Sequence, residues 1–141
     1  MNRLLRATAL AAVMIWAPLP VQAQHAYPVQ ELLATGKTVV GEDIVYPTSG
    51  PAKITVAIVT VEPGAKAVLH RHPAPLVAYV LEGELTVDYG DRGQRTFRPG
   101  ESFVEAMHAP HRGLNLGAGI VRLLAVYVGA AGTANVENER P

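Results

Sequence analysis

The chain contains no cysteine among its 141 residues, which removes disulfides, thiolate metal ligands and cysteine nucleophiles at one stroke. Cohesion must come from packing, and any metal must be held by imidazole or carboxylate. Charge is scarce as well. The 12 basic and 12 acidic side chains make up 17% of the sequence and cancel, so there is no basic face to meet a phosphate backbone, and nucleic acid is excluded as a partner. Long hydrophobic runs are also missing. The apolar stretches at residues 7–17 and 120–128 fall well short of the roughly twenty residues that span a bilayer, and Arg122 interrupts the second.

The first of these stretches has its own meaning. Arg3 and Arg6 precede it, and Val21-Gln22-Ala23 follows it with small residues at the two outer positions. This is the layout of a secretory signal peptide cleaved after Ala23, and it predicts a periplasmic or secreted protein with no membrane contact after cleavage. Loss of Arg3 and Arg6 takes the net charge to about −2. What remains is the right size for one domain with one core.

After about residue 38, strand signals dominate. Residues 53–61 are rich in β-branched side chains and stop at Glu62-Pro63-Gly64, a turn sequence. Further strands are expected at 67–72, 76–81, 84–89, 94–97, 102–105, 111–116 and 120–128, separated by glycine-containing turns. Many short strands with almost no helical pattern between them predict an all-β, antiparallel sandwich or barrel. The expected layout is a signal peptide at 1–23, an N-terminal arm and edge strand at 24–52, a β-barrel at 53–129 and a disordered tail at 130–141. A short helical turn is expected at 29–33, after Pro28.

Three histidines carry the chemistry. His70 and His72 are two apart in a strand-type run, so both imidazoles point to one face of a sheet. His111 lies in a second such run and can close a three-nitrogen metal site. Three imidazoles with coordination positions left over describe a catalytic centre better than a closed structural one. The alternative is a pair of partly exposed strand histidines that bind nothing.

The sequence from Gly64 to Gly83 resembles the first conserved motif of the cupins: glycine, five residues, His-x-His, three or four residues, glutamate, six residues, glycine. Gly64, His70, His72 and Gly83 fall in place, whereas Leu76 or Val77 stands where the glutamate belongs. Residues 100–115 resemble the second motif, with Gly100, His111 and Asn115 in register and Ala106 and His108 in place of its proline and glycine. The resemblance implies a cupin jelly-roll barrel in which His70, His72 and His111 bind a divalent metal, with the carboxylate position vacant. Three-histidine cupins without the glutamate are similar to a subset that includes thiol and diketone dioxygenases using Fe(II). Zn, Mn, Cu, Fe and Ni remain open, although affinity order in an exported chain favours Cu and Zn.

Glu105, six residues before His111, is the candidate catalytic residue. It can supply the missing carboxylate, orient a ligand imidazole, act as a general base, or simply be solvated at a strand end. His108 is a fourth ligand, a proton shuttle or an exposed loop residue. Arg71 and Tyr79 alternate with inward positions and are expected to face outward. Asn115 is expected to tie down a loop through its amide. Two functions follow: a metal-dependent, dioxygenase-like enzyme acting on a small molecule, or a non-catalytic module that binds a small ligand or a metal. A homodimer is expected, with residues 39–46 supplying an edge strand to the partner.

Overall fold

The computed structural model describes residues 27–140. It separates into a unit ending at Gln30 and a second unit, Glu31–Pro141, that carries the fold. The leader expected at 1–23 lies outside the described residues. The strands among those residues are β1 (Ala52–Val61), β2 (His70–Arg71), β3 (Leu76–Glu82), β4 (Leu85–Asp88), β5 (Gln94–Phe97), β6 (Ser102–Val104), β7 (Arg112–Leu114), β8 (Val121–Ala130) and β9 (Glu137–Asn138). A single 3-10 turn at Gly90–Arg92 is the only helix among them.

Every pairing is antiparallel. One sheet runs β1-β8-β3-β6, a second runs β5-β4-β7, and β2 pairs with β9. Alternation decides what each sheet turns inward. Leu76, Ala78 and Val80 of β3 lie opposite Tyr127, Ala125 and Leu123 of β8, and all six are buried. Leu85 and Val87 of β4 are buried from the other sheet. Phe103 of β6 stacks on Phe97 of β5 with ring centres 3.7 Å apart, closing one side of the interior. The all-β architecture and the apolar inner row at 76, 78 and 80 agree with the sequence pattern. Tyr79, on the alternate face of β3, is half-buried and turned away from the interior.

Three local expectations are corrected. Residues 29–33 form no helix; a single turn does not repay its nucleation without a packed face, and Leu32 and Leu33 remain exposed. Residues 39–46 form no edge strand. Instead the chain doubles back, with Lys37 bridging Asp43 around Gly41, whose φ of 87° ends extended structure there. The tail expected to be disordered at 130–141 is tied down over much of its described part, 130–140. Asn138 and Glu137 pair with His70 and Arg71, the Glu139 N–H donates to Leu69 O at 2.9 Å, and the Glu139 carboxylate pairs with the Arg71 guanidinium. A polar segment without periodicity was therefore held by backbone pairing and one ion pair, neither of which depends on an apolar pattern.

Gly83 shows how tightly one turn is specified. Its φ is 72°, and a Cβ there would stand 2.4 Å from Ile120 O. It follows a register shift between Val80 and Glu82, so the chain turns sharply against the start of β8. Gly83→Ala should destabilise the fold by at least about 2 kcal/mol from backbone strain together with the clash, measured by urea unfolding. Wild-type stability in that variant would mean that the turn is not held in this conformation.

Candidate metal centre

His70 and His111 meet as a hydrogen-bonded antiparallel pair. His70 N–H donates to His111 O and His111 N–H donates to His70 O, each at 2.9 Å. Residues paired in this way project to the same face. His72 is two positions further along, and its own N–H donates to Met107 O at 3.0 Å, holding it against the segment that leads to His111. The three rings gather with centres 4.6 to 5.1 Å apart, and one nitrogen from each lies within 4.8 Å of those of the others. The separation expected around one tetrahedral ion is on the order of 3.4 Å for bonds of roughly 2.1 Å, so the cluster is close to coordinating distance.

The ring orientations are set by hydrogen bonds on the far side. Nδ1 of His70 lies 2.8 Å from Val68 O, Nδ1 of His72 lies 2.8 Å from Asn135 O, and Nδ1 of His111 lies 2.9 Å from Ala109 O. A carbonyl can only accept, so each Nδ1 carries the proton and each Nε2 is left as a lone pair. Burial lowers the pKa of all three rings, that of His72 to about 4, so the imidazoles are neutral. Nε2 of His111 is buried without a hydrogen-bond partner among the described residues. A buried unpaired nitrogen is costly, and a divalent cation would satisfy it. Neutral imidazoles, backbone-fixed tautomers and an orphaned inner nitrogen together fit a divalent metal.

Glu105 sits beside this cluster. Its carboxyl is buried, and its Oε1 accepts from Tyr89 Oη at 2.7 Å and from the Ala106 N–H at 2.8 Å. Oε1 is 3.9 Å from His111 Nε2; with the imidazole neutral this is proximity and not an ion pair. Desolvation pushes the Glu105 pKa up to about 7, against the pull of the two donors. The expectation of a solvated strand-end residue is thus excluded. Leu76, in the vacant glutamate position, forms part of an apolar cavity of about 220 Å³ that also contains the three histidines and Glu105. His108 is exposed and lines a separate surface hollow, so the structure does not bring it to the cluster. Arg71 faces outward, as expected from alternation. Asn115 ties its loop by donating to Val61 O and Gly119 O at 2.9 and 2.8 Å.

Sequence reading missed three supports. Tyr89 holds Glu105. The segment around Asn135 and Val136 orients His72 and adds a side chain to the cavity wall. Glu42 gathers the N–H groups of Met107, His108 and Ala109 at 2.7, 3.2 and 2.8 Å, clamping the loop before His111. Burial would raise its pKa, but these backbone donors outweigh that and lower it below 4.5. None carries a motif, and each partner is remote in sequence. A folded pKa below the unfolded one gives stability that is present above the ordinary carboxylate value and is lost as pH falls through the folded value. Glu42→Gln should therefore cost about 1 to 2 kcal/mol at neutral pH, with the deficit shrinking below pH 4.5. Urea unfolding of both proteins across pH checks this; a deficit that stays constant into acid would remove the charged clamp.

With the geometry in place, comparison with known proteins gives a consistent picture. Residues 57–127 match the family described as the cupin domain. Among solved structures, the oxalate decarboxylase of Lactobacillus farciminis, in its formate complex, is 27% identical over 60% of this chain and 26% of its own, with a TM-score of 0.50. The DMSP lyase DddQ of Ruegeria pomeroyi is 22% identical over 57% of this chain and 41% of its own, with a TM-score of 0.51. A further DMSP lyase structure is 18% identical over 62% and 44%, with a TM-score of 0.54. The two lyase likenesses bear on fold alone, and the chain spans less than half the length of each of these proteins. No curated protein matches the sequence. The match across half of the chain, together with an antiparallel barrel that gathers three histidines from both motifs, means that this protein belongs to the cupin family.

Proposed function

We propose that this protein is an exported metal-dependent cupin in which Nε2 of His70, His72 and His111 holds one divalent cation, and that it acts on a small molecule in the adjoining cavity. The observation that carries this reading is the buried Nε2 of His111, left without a partner among the described residues while Nδ1 of all three rings is tied to backbone carbonyls. A metal bound there would supply Lewis-acid polarisation of a substrate atom, or redox chemistry if it is Fe, Cu, Mn or Ni. The remaining roles fall to the chain itself. The apolar wall keeps water away from the bound molecule. Glu105, braced by Tyr89 and Ala106, offers a carboxyl within reach of the same space to accept a substrate proton.

A module that only stores or carries its ligand has no need of a buried carboxyl beside the metal ligands, so Glu105 favours the enzyme over the non-catalytic alternative. The likeness to an oxalate decarboxylase solved with formate supports an enzyme acting on a small molecule, and the cavity of about 220 Å³ supports a substrate of that size. Export rests on the leader pattern at 1–23. A homodimer is supported by β1, which among the described residues ends its sheet and is paired on one side only, and which presents Ile54, Val56 and Ile58 at 57%, 62% and 49% exposure. Such an edge invites a second copy across a two-fold axis.

Replacing His70, His72 or His111 singly with alanine should weaken zinc binding at least a hundredfold, while Glu105→Gln should change it less than tenfold. Isothermal titration calorimetry separates the two classes; full affinity in any histidine variant would remove that residue from the site. Val56→Lys should convert a dimer to a monomer without loss of secondary structure. Sedimentation equilibrium reads this directly, and a wild-type mass of one chain would end the dimer proposal.

A further inference from the structure

The cavity wall has a chemical character that the three imidazoles do not require. Aliphatic side chains from both sheets surround it: Val59 and Val61 of β1, Leu76 of β3, Leu85 and Val87 of β4, and Leu123 of β8. Its polar members are the histidines, Glu105 and Tyr127, and among the described residues no lysine or arginine lines it. Three basic residues that adjoin lining positions in sequence are turned elsewhere. Arg71, between the two histidines, pairs with Glu139; Arg112, next to His111, pairs with Asp88 at 3.0 Å; Arg122, next to Leu123, is exposed. Strand alternation thus sends each of these three cations to the opposite face from its inward neighbour.

This wall can pair with very little. A carboxylate, sulfonate or phosphate on the body of a bound molecule would be desolvated among methyl groups, facing the Glu105 carboxyl and no cation, a large cost without compensation. An apolar body gains from the same burial. Negative charge is tolerated only at the end that meets the imidazole cluster. Val136, which follows Asn135 in the C-terminal segment, also lines the cavity and remains 40% exposed.

Resting on the metal reading above, we propose that the substrate class is a small molecule with one polar, metal-directed end and an uncharged apolar body, and that Val136 contributes to this selection. Anionic metabolites whose charge lies away from the coordinating end are rejected by the wall. The selectivity is a property of the chain's own side chains, independent of which divalent ion is native.

The test uses a matched pair with one coordinating end and two bodies: 4-methylcatechol, and 3,4-dihydroxybenzoate, in which a carboxylate replaces the methyl group. Each is titrated calorimetrically at neutral pH into the full chain loaded with zinc, which adds no redox chemistry, and the zinc content is measured in the same samples. The methyl compound should bind at least tenfold more tightly. Val136→Lys, a change at a partly exposed position, should cut that ratio at least fivefold by favouring the carboxylate. Equal or tighter binding of the carboxylate by the wild-type protein overturns the proposal, and so does a ratio unmoved by Val136→Lys. Failure to retain zinc would instead defeat the three-histidine reading. The pair is then compared in the metal-free chain through the methyl NMR signals of Leu76, Leu85 and Leu123, where the apolar wall alone demands the same order, and the reverse order would again overturn it.

Discussion

Two reciprocal hydrogen bonds between the backbones of His70 and His111 hold the site together. They make the two residues partners across an antiparallel pair, so the imidazoles project to one face without any direct bond between side chains. Strand periodicity then brings His72 to the same face, two residues along. The long separation of His72 from His111 in sequence becomes irrelevant once this pair has formed. The whole centre, from tautomers to cavity, depends on that register, because a slip of one residue would turn His111 outward and an arginine or a proline inward.

Around this pair the protein handles polarity in a mostly apolar interior. Each imidazole uses Nδ1 on a backbone carbonyl, which fixes the ring and keeps Nε2 as a lone pair. Glu105 is kept in the same interior by a phenol and a peptide N–H. The loop between Glu105 and His111 would otherwise have three backbone donors to satisfy, and Glu42 accepts all of them. The C-terminal segment works in a similar way. It pairs with β2, fixes His72 through Asn135 O and places Val136 at the cavity, so residues 135–138 belong structurally to the site.

The absence of a glutamate from the first motif gives the centre much of its character. Leu76 replaces a carboxylate with an aliphatic wall, which leaves three neutral donors and more room for a ligand. Glu105 does not restore the missing carboxylate in the same place: it approaches from the strand before His111, and its oxygen is engaged by Tyr89 and Ala106. Its raised pKa follows from burial.

Local pattern in the sequence determined the strands that face the core, because alternation of size and polarity is written residue by residue; it also singled out His70, His72, His111 and Glu105, and the turn glycines at 64, 83 and 100, whose φ values are all positive. It misjudged segments where the deciding partner is far away. Residues 39–46 look like a strand by composition, yet Gly41 and the distant acceptor at Val104 shape them into a turn; the polar tail looks frayed, yet Leu69, His70 and Arg71 offer it a backbone and a charge to pair with. Only the tertiary structure decided that Glu42, Tyr89 and Asn135 serve the histidine cluster, and that Glu105 is buried. Such roles depend on which groups meet across the barrel, and a carboxylate or phenol in a sequence carries no mark of the donor or acceptor it will find.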